Sequence, residues 1–422
     1  MAFDAAIADG VDVISVSLGG SKPKPKEFYT DGIAVGKAKI PLVYGEDVGS
    51  HVCEAGRFNA RLVAGKIVVC DPGVNGRAAK GEAVKLAGGA GAILVSDEAF
   101  GEQALTTAHI LPATAVKFAD AESVKKYIRM TASPVATIEF HGTVVARTLS
   151  SPRMESFSSW GAKLLAPEIL KPDATAPGVD ILAAWTGENS PSQLDSDPRR
   201  VKYNIISGTS MSCPHVSGIA ALLRQTRPDW SPAAMKSALM TTAYNVDSAG
   251  DIIKDMSTGK ASTPFVRGAG HDAGADDYFS FLCAIGYTAE QIAVFRTKDD
   301  PVVDCLTRTA SVGDHNYPAF SAVLNSTRDA VTQRRVVRNV GSRARASVTS
   351  PAGVRVTVNP RKLRFSATQK TQAYEITFAA QGVGSVTEKY TFGSIVWSDG
   401  EHKVTSPIAI TWPATASQVA VM

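Results

Sequence analysis

The first forty residues combine a short amphipathic segment with a strand-like one. Phe3, Ala6 and Ile7 fall on one face of a helix that Gly10 ends. Residues 11–18, Val-Asp-Val-Ile-Ser-Val-Ser-Leu, then predict a strand. This helix-to-strand step indicates an α/β layer that the sequence enters midway. The Lys/Pro-rich stretch that follows is typical of a solvated loop.

A second α/β pattern runs from about residue 43 to residue 142. Residues 66–70 predict a strand, residues 78–87 an amphipathic helix, and residues 91–96 the next strand. A strand, a crossover helix and a strand make a βαβ step. The glycine cluster from Gly88 to Gly91 lies at a helix C-terminus and lacks a Lys-Ser/Thr pair, so it does not predict a phosphate-binding loop.

The pattern then changes twice more. In residues 211–227 the apolar positions recur with helical spacing, which predicts an inward-facing stripe of Val216, Ile219, Ala220 and Leu223. Ser231-Pro232 is an N-cap followed by proline at the first position of a second helix. Beyond about residue 315 the apolar positions alternate with period two, as in 354–358, 374–378 and 394–397. That alternation predicts an antiparallel β-sandwich.

Composition adds limits rather than an identity. A chain of 422 residues predicts two or three domains at about 150 residues each. The formal net charge of +4 is too weak to argue for nucleic acid or an anionic membrane as a partner. Five cysteines exclude a disulfide-dense scaffold and leave at least one thiol outside any internal pairing. No apolar run is long enough to predict a membrane span, and the first residues do not read as a signal peptide.

One stretch carries chemistry. Residues 207–218 read Ser-Gly-Thr-Ser-Met-Ser-Cys-Pro-His-Val-Ser-Gly. They put the Ser210 hydroxyl in the first turn of a long helix, where free backbone N–H groups and the positive end of the helix dipole would stabilise an oxyanion. Gly208 lets the chain turn tightly into the helix, Pro214 costs little in the first turn, and Gly218 allows close packing at the next turn.

This stretch resembles the nucleophile motif of the subtilisin-like serine proteases, and specifically of the plant subtilases. Four further segments are similar to that family: Ile169 to Val179, Leu194 to Arg200, Pro228 to Ala233, and Asp9 to Gly20. Residues 43–142 resemble the protease-associated insert of plant subtilases. The sandwich, entered at Asn316-Tyr317-Pro318, resembles their C-terminal fibronectin-III-like domain.

The resemblance implies an α/β subtilisin-like parallel sheet, here incomplete, with an inserted α/β protease-associated domain and a fibronectin-III-like β-sandwich. It divides the chain into a first catalytic fragment at 1–40, the insert at 41–142, a second catalytic fragment at 143–290 and the sandwich at 315–415.

The resemblance also implies a chemistry and its residues. Peptide bonds would be hydrolysed through an acyl-enzyme on Ser210, with the backbone of Ser210 serving the oxyanion. The substrate backbone would pair with Ser17, Leu18, Gly19 and Gly20. Protein or peptide substrates and an extracellular, apoplastic location follow, with Asn325 as a glycosylation candidate in Asn-Ser-Thr. No cofactor is implied, and the Cys and His spacing shows no metal-site pattern. The oligomeric state stays open.

Three parts of the family's active site are not in this sequence. No Asp-Thr-Gly, Asp-Ser-Gly or His-Gly-Thr-His occurs, and the family's order would put the Asp and His motifs before Met1. The Ala-Gly-Asn turn of the oxyanion Asn, expected between Gly36 and Pro41, is absent as well. His141-Gly142-Thr143 matches only partly. His215 lies on the helix of Ser210, rotated away from it, and is expected to be structural.

Because a serine hydroxyl needs an adjacent base to act as a nucleophile, the chain alone is expected to be inactive. Three interpretations remain open: a subtilisin-class endopeptidase whose catalytic front half lies outside this sequence, a non-catalytic protein-binding paralogue, and a truncated remnant.

Overall fold

The computed structural model of the chain describes residues 11, 13, 15, 38–101, 107–139, 150–162, 166–267, 275–293, 303–306, 311–326, 328–338, 343–366, 368–381 and 389–412. Their regular elements form an α/β unit at 40–136, a mainly helical region at 181–293 and a β-sandwich at 320–411.

The α/β unit is built on a sheet of order β4-β3-β2-β1-β5, in which β5 alone runs antiparallel to its neighbour. Its strands are β1 (Ile40–Tyr44), β2 (Ile67–Cys70), β3 (Gly91–Val95), β4 (Ala113–Val116) and β5 (Val135–Ala136). Every residue of β2 and β3 is buried, because helices cover both faces of the sheet. Those helices are α1 (Ala60–Val63) and α2 (Arg77–Leu86) on one face and α3 (Phe118–Met130) on the other.

The helical region begins with a short ribbon of two antiparallel strands, β6 (Ile181–Ala184) and β7 (Tyr203–Ile206). Its helices are α4 (Thr209–Thr226), α5 (Pro232–Thr241), α6 (Pro264–Arg267), α7 (Ala275–Ala284) and α8 (Ala289–Ala293). The predicted cap of α5 is present, since the Ser231 hydroxyl accepts a hydrogen bond from the Ala234 N–H at 3.0 Å.

Two sheets form the sandwich, and they enclose a core of aromatic and branched side chains. One has the order β12-β10-β14-β15-β8 and the other β11-β13-β9. All pairs are antiparallel except β15 with β8. The strands are β8 (Phe320–Val323), β9 (Ala330–Arg338), β10 (Arg343–Thr349), β11 (Val354–Asn359), β12 (Lys362–Arg364), β13 (Thr371–Ala380), β14 (Tyr390–Ser398) and β15 (Lys403–Thr411).

The sandwich packs directly on the helical region. The ring of Phe265 in α6 makes edge-on contacts with Tyr390 and Phe392 of β14, at centroid distances of 5.0 and 5.6 Å. The Ser321 hydroxyl of β8 donates to the carbonyl of Pro167 at 2.5 Å. The sandwich therefore has its own core and also contributes to a second, shared one.

Two expectations for the helical region need correction. In the part of 1–40 and 143–290 that the structure describes, the expected parallel sheet is not seen, and β6 and β7 pair antiparallel. The apolar stripe of α4 has the predicted spacing, yet none of the residues of α4 is buried. Of the four residues of the stripe, Ile219 is 48% exposed, and Val216, Ala220 and Leu223 are half-buried. Periodicity identifies the apolar face of a helix but does not supply the layer that would cover it.

Two helical glycines should respond to alanine with opposite signs. A Cβ at Gly81 in α2 would lie 2.8 Å from Leu111 Cδ2 and 3.0 Å from His109 Nδ1, whereas one at Gly218 in α4 meets nothing within 4 Å. The close approach that Gly218 would allow is not used by any of the described residues. Alanine in a helix interior is favoured over glycine by about 0.5–1 kcal/mol. Gly218→Ala should raise the free energy of unfolding by that amount, whereas Gly81→Ala should lower it by about 1 kcal/mol through overpacking. Denaturant titration of both variants checks this, and equal signs would contradict the packing described.

Candidate active site

Ser210 stands in the first turn of α4, directly after the strand β7. The chain leaves β7 at Ile206, passes through Ser207 and Gly208, and enters the 18-residue helix at Thr209. Ser210 is exposed. Gly208 occupies the N-cap, and no side chain caps the helix there. The N–H groups of the first turn are thus not taken by a capping side chain, which is the arrangement that would stabilise an oxyanion beside Ser210.

The turn around Ser210 is tied to the segment 176–178. The Gly208 N–H donates to the carbonyl of Gly178 at 2.7 Å, and the Ser212 hydroxyl donates to the carbonyl of Ala176 at 2.9 Å. A Cβ at Gly178 would collide with the Ser212 hydroxyl oxygen, so glycine is required there by the close approach of the two segments. These contacts hold the start of α4 in one position relative to the preceding loop.

No side chain that the structure describes forms a hydrogen bond with the Ser210 hydroxyl. The imidazole of His215 is occupied within the same helix, with Nδ1 2.8 Å from the carbonyl oxygen of Met211. The carboxylate of Asp180 accepts from the Ser207 hydroxyl at 3.1 Å. His141 lies outside the described residues. Within the described part of the chain, Ser210 therefore has no base to activate it.

The predicted substrate segment, residues 17–20, lies outside the described residues, but the approach to it is partly visible. Ser15 Oγ lies 3.6 Å from Sγ of Cys213, the fifth residue of α4. Val13 lines a shallow groove with side chains from the C-terminal half of α4. The described residues of 11–15 therefore run beside the helix that carries Ser210.

A loop of the α/β unit also reaches this site, and sequence reasoning did not predict it. Ala108 is 1% exposed and packs in one cluster with Ile206, Met211 and Trp185. The sequence signal that could have suggested a close contact is Gly81, because a glycine inside an amphipathic helix usually has a packing reason. It would not have identified Ile206 or Met211 as the partners.

The neighbouring His109 is held neutral by its surroundings. It is 4% exposed, and Nδ1 has no hydrogen-bond partner among the described residues. Burial, with a smaller contribution from the charge of Arg77, lowers the pKa of His109 to about 4. Between the α/β unit and the helical region the loop thus carries an uncharged imidazole at neutral pH.

Acidification should destabilise the chain through His109. The folded-state pKa of about 4 lies below the ordinary value of 6.5, so the unfolded chain binds the proton more readily. The free energy of unfolding should be unaffected by this group above pH 6.5 and should fall between pH 6.5 and 4, by up to about 3 kcal/mol. Denaturant midpoints measured across this range for the native chain and His109→Gln check it. An identical pH dependence in the two proteins would contradict the assignment.

Other predicted features have less defined surroundings. Asn325 is exposed at the end of β8, where its backbone N–H donates to Asp329 at 2.8 Å.

Four cysteines form the disulfides Cys53–Cys70 and Cys283–Cys305. Cys213 is half-buried and is not disulfide-bonded. Among the described residues, no three His, Cys, Asp or Glu side chains converge as metal ligands. None of the described helices is long and apolar enough to cross a membrane.

Two family models match the chain. The model of the subtilase family covers residues 1–270, and that of a fibronectin type-III domain covers residues 314–410. The chain is 43% identical to the subtilisin-like protease SBT1.4 of Arabidopsis thaliana, in an alignment covering 97% of the chain and 64% of the relative. It is 37% identical to SBT1.7, with 97% and 65% covered, and 44% identical to SBT1.3, with 89% and 50% covered, both from the same plant.

The chain thus spans less than two thirds of the length of these relatives. The alignment with SBT1.4 is 502 positions long, which exceeds the 422 residues of this chain. The relative therefore contains internal segments that have no counterpart here.

Proposed function

Because the chain belongs to the subtilase family and resembles the subtilisin-like serine proteases of plants, we propose that Ser210 is the nucleophile position of a serine endopeptidase. The observation that carries this proposal is the exposed hydroxyl in the uncapped first turn of α4, fixed by Gly208 and Ser212 against residues 176–178. In a complete site the Ser210 oxygen attacks the carbonyl carbon of a peptide bond. The amine leaves with a proton from the base, and water then hydrolyses the acyl-enzyme.

The proposal includes a limit on this chain. A histidine and an aspartate must take and hold the proton of Ser210, and an oxyanion donor such as an asparagine side chain completes the site. The described residues offer none of these within reach of Ser210, and the motifs that would carry them do not occur in the sequence. We therefore propose that the 422-residue chain alone does not hydrolyse peptides. Its exposed Ser210 without a base equally supports a non-catalytic, protein-binding relative as the second candidate.

A chimera tests the role of Ser210. The segments of the 43%-identical Arabidopsis relative that have no counterpart here, upstream and internal, would be joined to this chain and the product assayed on an unstructured protein substrate. We expect hydrolysis that Ser210→Ala abolishes. Ser217→Ala is the matched control, because the Ser217 hydroxyl donates only to Cys213 within α4 at 3.1 Å, and it should retain the activity. A folded chimera whose hydrolysis survives Ser210→Ala would overturn the assignment.

The remaining assignments follow from the same family. Residues 17–20 would pair with the backbone of protein or peptide substrates, and the α/β unit at 40–136 corresponds to a protease-associated insert. Two disulfides in the described structure support an extracellular location, since such bonds persist in oxidising compartments.

Exposed Asn325 would then be glycosylated. A mass shift removed by Asn325→Gln in the secreted chain tests this assignment, and an unmodified secreted chain would refute it.

A further inference from the structure

The loop of residues 107–111 in the α/β unit contacts both sides of the turn that carries Ser210. Ala108 packs against Ile206, the last residue of β7, and Met211, the residue after Ser210, packs on the cluster that the two form. Ala108 and Ile206 are only 1% and 3% exposed. One side chain of the α/β unit is therefore buried between the strand that enters the turn and the helix that leaves it.

A second contact fixes the same loop from the other end of β7. Arg199 Nη2 donates to the carbonyl oxygen of His109 at 3.0 Å. The guanidinium is oriented by Asp197, whose two carboxylate oxygens lie 2.9 Å from Nε and 2.8 Å from Nη2. Asp197 is 1% exposed and also accepts from the Ser192 hydroxyl at 2.5 Å. Asp197 thus orients the Arg199 guanidinium independently of its contact with the loop.

The loop also lies in close contact with α2. The imidazole of His109 and the side chain of Leu111 approach Gly81 of α2 so closely that a Cβ there would lie within 3.0 Å of both. The Glu82 carboxylate of α2 accepts a hydrogen bond from Ser196, in the segment that carries Arg199. A displacement of α2 would therefore also displace His109 and the segment before β7.

From these contacts we infer that residues 107–111 form a latch for the nucleophile turn, with Arg199 and His109 as positioning residues for Ser210. The inference rests on the proposed role of Ser210 for its functional meaning, while the latch itself is a property of the fold. Through the latch, the α/β unit holds the start of α4 in place, so that a displacement of the unit would also displace Ser210.

The charges around the latch make it sensitive to acid. Arg77 of α2 interacts electrostatically with His109 and with the buried Glu155, and Asp197 and Arg199 lie beside the latch in the segment before β7. Glu82 and Asp197 already bind Ser196 and Arg199, and Lys80 is directed to the carbonyl of Val52 at 2.9 Å. A proton on His109 would add a cation near Arg77 and Arg199, and no described carboxylate is hydrogen-bonded to the His109 ring. The contacts of residues 107–111 with Ile206 and Arg199 are therefore expected to persist while His109 is neutral and to weaken when it is protonated.

Hydrogen–deuterium exchange of the full chain tests the latch. Arg199→Ala should accelerate exchange in peptides covering 203–212 about tenfold or more, while peptides from β14 and β15 stay unchanged. Arg200→Ala is the matched control, because the described hydrogen bonds of Arg200 go only to Asp197 and Arg199 carbonyls in its own segment. It should leave 203–212 protected, and Arg199→Lys should restore part of the protection. Unchanged exchange in Arg199→Ala, or equal acceleration throughout the chain, would overturn the proposal.

A pH profile separates positioning from general stability. Trp185 packs against the cluster of Ala108 and Ile206, so the fluorescence difference between the native chain and Trp185→Phe reports on the latch. This signal should change reversibly between pH 6.5 and 4 in the native chain and stay constant in His109→Gln. A profile that survives His109→Gln would overturn the role of His109. Ser210→Ala should alter neither experiment, so a failure of the proposed catalytic role would leave these results standing.

Discussion

Replacing Arg335 by alanine is expected to lower the free energy of unfolding by about 3–5 kcal/mol. Arg335 is 2% exposed in β9, inside the sandwich. Its guanidinium donates to the carbonyls of Tyr317 at 2.5 Å, Gly313 at 2.7 Å and Ala319 at 3.3 Å, and it lies 4.5 Å from the ring centroid of Phe320. Burial lowers the pKa of Arg335 to about 10, yet this leaves it charged at neutral pH.

The cost arises mainly from the groups that the substitution would abandon. Alanine would leave several buried carbonyls without a donor, and each such group costs about 1–3 kcal/mol. Arg334→Ala is the control, because that side chain is exposed and should change stability by less than about 0.5 kcal/mol. Denaturant unfolding followed through the buried Trp397 and Trp412 measures both variants. A loss below about 1 kcal/mol in Arg335→Ala would contradict the network described.

The second large effect concerns catalysis. We expect the 422-residue chain to hydrolyse peptides no faster than its Ser210→Ala variant. In subtilisin, loss of the serine or the histidine alone costs about 2 × 10⁶ in kcat. Ser210 has no base among the described residues, and the sequence lacks the motifs that would supply one. The comparison uses quenched fluorescent peptides of mixed sequence, with the chimera as positive control. A rate that drops on Ser210→Ala would contradict it.

Much of the secondary structure could be predicted from local pattern. The alternation at 354–358 is the buried–exposed alternation of β11, and the cap at Ser231 begins α5 as expected. Ser210 was predicted in the first turn of a long helix and lies in the first turn of α4. Each of these features depends on residues a few positions apart, which is the range over which propensity and capping act.

The surroundings of Ser210 could not be predicted in the same way. The contact of Ala108 with Ile206 and the hydrogen bond from Arg199 to His109 join residues 98 and 90 positions apart, so no local pattern encodes them. The exposure of Ile219 could not be predicted either, but for a different reason. An apolar stripe predicts burial only if a covering layer exists, and the stripe itself carries no information on that layer.

Fluorophosphonate labelling tests the central claim most directly, because the reagent forms a covalent bond only with an activated serine. The chain and its Ser210→Ala variant would be treated side by side and digested, and the peptide containing Ser210 analysed by mass spectrometry. We predict no adduct on Ser210 in the 422-residue chain and a Ser210 adduct in the chimera that supplies the His, Asp and Asn segments. An adduct on Ser210 of the chain alone, absent from Ser210→Ala, would contradict the account.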